Sequence, residues 1–456
     1  MKKESIRYFS TNYLLPGGFS ERLSFKEALI MGQAPDEGLF MPVQIPKFSF
    51  AEIEQMMGMP IPVVANMVLR KFFTREEIGY EKLWEIMKDA YNFLVPLEKV
   101  VARRYIMRLD QGPTASFKDF AARAMARLMS HFRKPGQRLH ILVATSGDTG
   151  SAVGEAYKGV DGIDVTILYP AAEVSGRQKK QLDTIGDNVQ AISVEGGKFD
   201  DCQDLAKEAF SDPDLAGLNL TSANSINIGR ILPQIVYYFY AYAQLADGEE
   251  QIVFSVPSGN FGDVLGCEYA RRMGLPVKKI IVATNENDEF PKYLHTGNYV
   301  KISPSLACLS NAMNVGHPSN LARLFALYGG TVDRKGKVWC DPFLELMRKE
   351  IFAVSVSDEE TRQTIKEAYE RFGVILEPHG AVGWRGLEVF RERLYDVELF
   401  VSLETAHPAK FPEEIEALLG IKPEMLLSMK NLDQRQGEPI VMSANYAELK
   451  KYLLNR

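Results

Sequence analysis

The sequence predicts an α/β protein in which mostly parallel sheets are flanked by helices. Beyond residue 96, short apolar runs rich in β-branched residues alternate with helical segments, which is typical of strands covered on both faces. The hydrophobic fraction of 46% and the charged fraction of 25% are ordinary values that allow an extensive core. The predicted strands are residues 139–145, 165–169, 189–194, 252–256, 279–283, 374–376 and 399–403.

Length, charge and cysteine use narrow the class of protein. A chain of 456 residues is long enough for about three domain-sized units, or for one large α/β enzyme with additions. The net charge of -6 argues against a nucleic-acid-binding surface. No apolar run approaches membrane-spanning length, and the first ten residues lack the apolar core of a signal peptide. Four scattered cysteines without CxxC spacing fit reduced thiols, so we expect a cytoplasmic protein.

The pattern along the chain predicts three regions. Residues 1–95 form an N-terminal helical domain, with amphipathic helices at 24–31 and 74–94. Residues 96–405 form the α/β core, which includes a smaller mobile subdomain at about 120–235. Residues 406–456 form a helical C-terminal extension beginning at 412–419.

One lysine stands at the start of a strongly amphipathic helix. Apolar residues recur at helical spacing from Phe117 to Phe132, and Ser116 stands three residues before Asp119, as in a capping box. Lys118 therefore falls in the first turn, where the helix amides carry partial positive charge. An ammonium group near such a helix end and apolar surface tends to lose its proton, which suits a lysine that forms a Schiff base. Most lysines at such positions are nevertheless surface groups.

Two glycine-containing loops follow predicted strands and open helices. Residues 145–150, Thr-Ser-Gly-Asp-Thr-Gly, offer amide and hydroxyl donors for a carboxylate or phosphate, although an ordinary strand–helix turn would look the same. Residues 257–263, Pro-Ser-Gly-Asn-Phe-Gly-Asp, form a second such loop. The latter matches neither GxGxxG nor GxxxxGK[ST], so a single phosphate monoester fits it better than a dinucleotide or nucleoside triphosphate.

Two further segments carry candidate polar groups. Residues 224–230, Asn-Ser-Ile-Asn-Ile-Gly-Arg, are predicted to open a helix and to bind an anion with bidentate help from Arg230. The alternative is that Asn224 or Ser225 is only an N-cap and Arg230 only a solvated charge. Residues 402–408 end the last strand, where the Thr405 hydroxyl could hold a ring nitrogen or could equally be bonded to the backbone at the strand end. His407 is expected to be structural. The remaining histidines lack ligand spacing, so no metal centre is predicted.

Taken together, these segments resemble the threonine synthase family, pyridoxal-phosphate enzymes of the tryptophan-synthase-β fold (fold type II). The likeness runs in family order over about residues 30–411 and looks like the long form, with an N-terminal helical domain and a C-terminal extension. The set of motifs is specific, although no single one is. The matching stretches are residues 34–40, 114–119, 145–150, 224–227 with Arg230, 258–263, 377–383 and 405–411.

The resemblance implies a role for each matching residue. Lys118 would be the Schiff-base lysine, and Thr405 would face the pyridine nitrogen of pyridoxal phosphate. The cofactor phosphate would be held by Gly259, Asn260, Phe261 and Gly262. The substrate phosphate would be held by Asn224, Ser225 and Arg230. The substrate α-carboxylate would be received by Ser146, Gly147, Asp148 and Thr149.

Four positions depart from the family pattern. Glu37 stands where the N-terminal motif commonly has glycine, Glu404 where serine is usual, and Asn314 where the family has aspartate. Asp148 stands where many fold relatives have an asparagine near the phenolic oxygen of the cofactor, and an acidic group there would repel a phenolate. The resemblance therefore leaves the partner of that oxygen open.

The activity implied is conversion of O-phospho-L-homoserine and water to L-threonine and phosphate, the last step of threonine biosynthesis. Two phosphates must then be held at once, and the chain offers two separate anion loops. A phospho-lyase that releases 2-oxobutyrate is one alternative, and a non-catalytic homologue that binds an anion is another. The sequence leaves the oligomeric state open between monomer and homodimer.

Overall fold

The computed structural model describes residues 4–145, 147–393, 399–430, 432 and 434–456. The helices are α1 (Phe25–Met31), α2 (Phe50–Glu54), α3 (Ile61–Leu69), α4 (Tyr80–Ala90), α5 (Lys118–Phe132), α6 (Asp148–Tyr157), α7 (Gly176–Asp183), α8 (Phe199–Ser211), α9 (Ile235–Leu245), α10 (Gly262–Arg272), α11 (Glu289–Thr296), α12 (Leu321–Leu327), α13 (Leu344–Glu350), α14 (Asp358–Phe372), α15 (Pro378–Arg391), α16 (Pro412–Leu419), α17 (Leu427–Lys430) and α18 (Tyr446–Leu454). The strands are β1 (Tyr8–Ser10), β2 (Phe40–Pro42), β3 (Leu97–Val101), β4 (Arg104–Arg108), β5 (Leu139–Ala144), β6 (Ile163–Pro170), β7 (Val189–Glu195), β8 (Leu220–Thr221), β9 (Ile252–Pro257), β10 (Val277–Thr284), β11 (Thr331–Val332), β12 (Val338–Cys340), β13 (Ile351–Ser355), β14 (Leu399–Glu404) and β15 (Ile440–Ser443).

The N-terminal region is mostly helical, as the sequence predicts. Helices α1 and α4 confirm the predicted helices at 24–31 and 74–94, although α4 is shorter than expected. Ser24 and Glu27 form a capping box that starts α1. The short strands β1 and β2 pair antiparallel, and α3 packs against both α4 and α9.

A six-stranded sheet has the order β13-β10-β9-β14-β4-β3, with every pairing parallel except that of β3 with β4. Successive residues of β9 face opposite layers. Val253 lies in the cluster formed with Trp384 and Leu387 of α15, whereas Phe254 lies in the main core beneath α9 and α10. The sheet is therefore covered by helices on both faces, and β9, β10 and β14 confirm three of the predicted strands.

The strand predicted at residues 374–376 is wrong. These residues connect α14 to α15 without a strand, and the Ile375 carbonyl oxygen accepts a hydrogen bond from the Arg108 guanidinium at 3.2 Å instead of from a neighbouring strand. The edge position belongs to β13, which follows α13 directly and which the sequence reading missed.

A five-stranded sheet has the order β15-β7-β6-β5-β8, and all of its pairings are parallel. Strands β5, β6 and β7 confirm the predictions at 139–145, 165–169 and 189–194. The outer strand β15 comes from the C-terminal extension, and Leu449 and Leu453 of α18 pack in one cluster with Ile192 and Leu205. The prediction of an all-helical extension is therefore wrong, while the division at residues 95 and 405 stays a prediction.

The loops that the sequence singled out leave the carboxyl ends of β5, β9 and β14. In sheets of this kind ligands bind beyond those ends. No helix in the described ranges is both long and apolar enough to cross a bilayer.

Candidate active site

Lys118 is the first residue of α5, and the loop before it is tied to the end of β14. Phe117 N–H donates to the Thr405 carbonyl oxygen at 2.9 Å, and Ser116 forms an isolated bridge with Ala406. The predicted capping box is wrong. The Asp119 carboxylate accepts the N–H and the hydroxyl of Thr114, both at 2.8 Å, and so holds the loop rather than the helix end.

The surroundings of Lys118 favour the neutral amine. Its side chain is 15% exposed, and its Nζ lies 4.7 Å from the centre of the Phe117 ring. Burial lowers the pKa of Lys118 below its ordinary value. The nearby cations Lys410 and Arg230 act in the same direction on this pKa, whereas the carboxylates of Asp148 and Asp263 oppose the shift. The direction of this pKa shift agrees with the predicted tendency of Lys118 to lose its proton, and burial is its main cause.

The loop after β5 is built around Thr145 and Gly147. The Thr145 hydroxyl oxygen accepts the N–H groups of Gly147 at 3.0 Å and Gly150 at 2.8 Å. Gly147 has a φ of 131°, and a Cβ there would lie 2.6 Å from Gln178, so only glycine fits. Ser146, one of the predicted carboxylate ligands, lies outside the described residues. Thr149 is partly exposed in the first turn of α6.

Asp148 is buried and held by three side chains. Its Oδ1 lies 2.6 Å from Lys410 Nζ and accepts a hydrogen bond from Gln178 Nε2 at 2.9 Å, and its Oδ2 lies 4.0 Å from Lys118 Nζ. Burial alone would raise the pKa of Asp148, but the two ammonium groups hold it below the ordinary value. The sequence reading missed both Lys410 and Gln178, although Lys410 lies within the 405–411 motif.

The loop between β9 and α10 has the shape of a phosphate cradle. Phe261 adopts a left-handed conformation with a φ of 62° and directs the chain into α10, whose first amides lack intrahelical acceptors. A Cβ on Gly259 would lie 3.0 Å from the Ala312 carbonyl oxygen, and one on Gly262 would lie 2.9 Å from Gln234 Nε2. Asn260 instead supports the loop, because its Oδ1 accepts the Ser319 N–H at 3.1 Å.

The segment 224–230 is the predicted binding site of the substrate phosphate. The predicted helix at Asn224 is wrong, because Asn227 caps only a short 3-10 turn, Ile228–Arg230. Arg230 is 4% exposed and donates to the Ala223 carbonyl oxygen at 2.7 Å, but its Nε has no partner among the described residues. The buried Oδ1 of Asn224 likewise has none. Burial lowers the pKa of Arg230 to about 10, so the guanidinium is still charged at neutral pH.

Two neighbouring residues join the two anion sites. The Ser319 hydroxyl lies 3.4 Å from that of Ser225, while the Ser319 backbone N–H binds Asn260. The Asn320 side-chain amide donates to the carbonyl oxygens of Ser225 at 3.2 Å and Asn260 at 3.0 Å. The two loops are therefore fixed relative to each other by residues that carried no signal in the sequence.

Thr405 follows β14 and is 5% exposed. The preceding residue, Glu404, is fully buried, and its Oε1 accepts the Glu377 N–H at 2.8 Å and lies 3.6 Å from Arg108. Burial raises the pKa of Glu404 well above its ordinary value, which Arg108 only partly offsets. A Cβ on Gly380 would collide with Glu404 Oε2, so the carboxyl group in place of the family's serine needs a glycine at the start of α15.

The other two departures have local explanations. Glu37 adopts a φ of 64°, the conformation that favours the glycine usual at this position, and it pairs with Arg334 at 2.6 Å. The Asn314 side-chain oxygen accepts the Asn285 amide at 3.0 Å and the Cys308 N–H at 3.1 Å. Neither position bears on the lysine or on the cradle.

The residues present fit pyridoxal phosphate. A reactive cofactor aldehyde needs a free amine, which Lys118 supplies, and its phosphate needs a cradle of backbone donors, which the 259–262 loop supplies. In the described part of the chain, Glu286, Cys308 and Asp358 bring one ligand atom each within 4.8 Å of one another. The four cysteines are free thiols.

Comparison with known proteins agrees with the site. The family model described as "Pyridoxal-phosphate dependent enzyme" matches residues 94–399, so the chain is a pyridoxal-phosphate-dependent enzyme. The models "Threonine synthase N terminus" and "Threonine synthase, C-terminal" match residues 7–91 and 380–453. Threonine synthase from Escherichia coli is 41% identical over 96% of this chain and 97% of its own length. The chain therefore belongs to the threonine synthase family.

Solved structures confirm the fold. A pyridoxal-phosphate-bound threonine synthase from Brucella melitensis superposes with a TM-score of 0.89, at 35% identity over 99% of both chains. The yeast threonine synthase superposes with a TM-score of 0.88, at 32% identity over 98% of both chains. The expected fold type II architecture, cofactor and enzyme class are thus confirmed, while the roles of individual site residues stay predictions.

Proposed function

We propose that the enzyme converts O-phospho-L-homoserine and water to L-threonine and phosphate in the cytoplasm. The observation that carries this proposal is the buried guanidinium of Arg230, whose Nε has no hydrogen-bond partner among the described residues and could bind a second anion. An enzyme that bound only the cofactor phosphate would need the 259–262 cradle alone. A second, separate site suits a substrate that brings a phosphate of its own.

Bound pyridoxal phosphate supplies the electron sink for bonds at the substrate's α-carbon. The protein would hold the cofactor at three points. Lys118 would bind its aldehyde, residues 259–262 would hold its phosphate, and the Thr405 hydroxyl would face its ring nitrogen. A hydroxyl can donate to an unprotonated ring nitrogen but cannot stabilise a protonated one as a carboxylate would. We therefore expect the ring nitrogen to stay neutral in this enzyme.

Lys118 would also move the protons of the reaction. With the substrate bound, the Lys118 amine would take the proton from Cα and pass it to the leaving phosphate. The Cγ–O bond breaks with its electron pair leaving on phosphate, and the electron pair of the Cβ–H bond forms the Cβ–Cγ double bond as Lys118 takes the Cβ proton. Lys118 would return that proton to Cγ, which ends as a methyl group. The water oxygen bonds to Cβ, and Lys118 would carry the proton released by water to Cα. The lowered pKa of this lysine suits a base that must be neutral near pH 7.

The substrate would be oriented from both ends. Arg230, with Asn224 and Ser225, would bind its phosphate. The loop at 146–149 would receive its α-carboxylate through backbone amides and the Thr149 hydroxyl. The Asp148 carboxylate is not available for that task, because it is negatively charged and already bound to Lys410.

Product analysis with O-phospho-L-homoserine tests the proposal. We expect threonine and phosphate in equal amounts from the purified holoenzyme. Release of 2-oxobutyrate in place of threonine would replace the proposal by a phospho-lyase, in which water does not add at Cβ. A protein that binds phosphate but forms no coloured complex with pyridoxal phosphate would point to a non-catalytic homologue.

A further inference from the structure

A second buried lysine lies in the site. Lys410 ends the 3-10 turn Pro408–Lys410, and only 3% of its surface is exposed. Its Nζ lies 2.6 Å from Asp148 Oδ1 and donates to the Thr114 carbonyl oxygen at 3.1 Å. Burying an ammonium group is costly unless it is paired and hydrogen-bonded, and both conditions are met here.

The position of Lys410 is fixed from several sides. Arg177 of α7 donates to the Ala409 carbonyl oxygen, and Ala409 packs in a small cluster with Ala115 and Met429. The Lys118 loop, the turn that carries Lys410 and the C-terminal extension thus meet at one point. Lys410 is therefore not a mobile side chain that happens to reach an acid.

Lys118 and Lys410 compete for one carboxylate. Lys410 is in contact with Asp148, whereas Lys118 Nζ is 4.0 Å away. The other charged groups that act on Lys118 are Arg230 and Asp263, and burial raises the pKa of Asp263 to about 6. Asp148 is therefore the main group that could stabilise a charged Lys118, and its charge is already offset by Lys410.

We propose that Lys410 is a positioning residue that occupies Asp148 and so leaves the Lys118 nitrogen able to give up its proton near neutral pH. This inference rests on the proposed function, in which Lys118 binds the cofactor. The same pairing would explain how Asp148 can lie near the phenolic oxygen of the cofactor without repelling it, because the Lys410–Asp148 pair has no net charge.

The test is the pH at which the visible absorption of the holoenzyme's bound cofactor changes, measured without substrate. In Lys410→Met, Asp148 is free to stabilise the protonated Lys118 nitrogen, so the midpoint should rise by about one to three pH units. In Asp148→Asn the attraction is removed and Lys410 repels the proton, so the midpoint should fall. Lys410→Arg keeps the charge and should stay close to the wild type.

If Lys410 had only a structural role, the midpoints of Lys410→Met and Asp148→Asn would not move in opposite directions. Lys422→Met, which removes an exposed lysine, is the matched control and should change nothing. Circular dichroism establishes that each variant is folded. Midpoints in Lys410→Met and Asp148→Asn that are unchanged, or that move together, would overturn the role of Lys410.

Borohydride reduction followed by peptide mapping tests whether Lys118 binds the cofactor, independently of the role of Lys410. We expect the wild type and the Lys410 variants to carry the cofactor on Lys118. Cofactor on another lysine in the wild type would overturn the assignment of Lys118, and this inference with it. Cofactor on Lys118, together with unshifted midpoints, would overturn only the inference.

Discussion

The two proposed anion sites use different kinds of donor. The loop at 259–262 offers backbone amides at the start of α10, and its glycines allow it to pack closely against Ala312 and Gln234. The proposed site at 224–230 offers side chains, above all the buried Arg230 guanidinium, whose Nε has no partner in the part of the chain that the structure describes. Ser319 and Asn320 hold the two sites at a fixed relation to each other.

This difference matches two kinds of ligand. Backbone donors are already fixed in place, so they lose little conformational entropy when a ligand binds. They therefore suit a group that stays bound. A guanidinium forms strong, directional contacts with a phosphate oxygen pair and suits a ligand that must be recognised at each turnover. We therefore assign the first site to the cofactor and the second to the substrate.

We expect the largest effect at Lys118, which would react with the cofactor bound at one site and the substrate bound at the other. Lys118→Ala should abolish turnover, since removal of the proton-transfer group alone costs about 10²–10⁴-fold, and should leave no borohydride-trapped cofactor. The fold should survive because Lys118 stands at the first position of α5 and its side chain is partly exposed, unlike the fully buried residues that follow it. Steady-state assays and thermal melting check this. Near wild-type turnover in Lys118→Ala would show that Lys118 is not the catalytic lysine.

Arg230→Ala should come next and should act mainly on substrate binding. Loss of a charged hydrogen-bonding partner costs about 1.5–3 kcal/mol, or about ten- to 150-fold in the apparent affinity for phosphohomoserine. Arg138→Ala, at an exposed arginine paired with Asp164, is the matched control and should leave that affinity unchanged. Loss of cofactor affinity in Arg230→Ala, with an unchanged substrate KM, would reverse the assignment of the two sites.

Gly259→Ala should act on the cofactor alone. The new Cβ would lie 3.0 Å from the Ala312 backbone oxygen, and such overpacking costs about 1–3 kcal/mol. We expect weaker binding of pyridoxal phosphate, measured by absorption titration, and a normal substrate KM at saturating cofactor. Gly217→Ala has open space around its Cβ and serves as the control.

The smallest effect is expected at Thr405. Thr405→Val removes one neutral hydrogen bond, worth about 0.5–1.5 kcal/mol, so pyridoxal phosphate should bind only a few-fold more weakly. Equilibrium dialysis measures this change. Nitrogen NMR with labelled cofactor supplies the sharper check, because a protonated ring nitrogen in the wild type would mean that a residue other than Thr405 faces the ring.

The sequence carries most of the fold because its signals are local. Buried runs and glycine loops mark β5, β9 and the start of α10 directly. The failures are also instructive. Val374 and Leu376 are buried without belonging to a strand, and Arg108 donates to the carbonyl group of Ile375 between them. Strand β15 is short and partly exposed, and only its partner β7 makes it a strand.

The candidate active site likewise combines features that the sequence predicts with features that it does not. Lys118 and both anion loops are recognisable from short motifs, but Asp119 turned out to bind Thr114 rather than to cap α5. The Lys410–Asp148 pair and the links through Ser319 join residues far apart in the chain. Such contacts leave no local pattern, so sequence reasoning could not find them.

Phosphorus NMR of the holoenzyme with added inorganic phosphate tests the two-site assignment most directly. The account predicts two bound signals in the wild type, one from the cofactor and one from phosphate at Arg230. Arg230→Ala should lose the second signal and keep the first. A second bound signal that persists in Arg230→Ala, or a cofactor signal that disappears with it, would contradict the account.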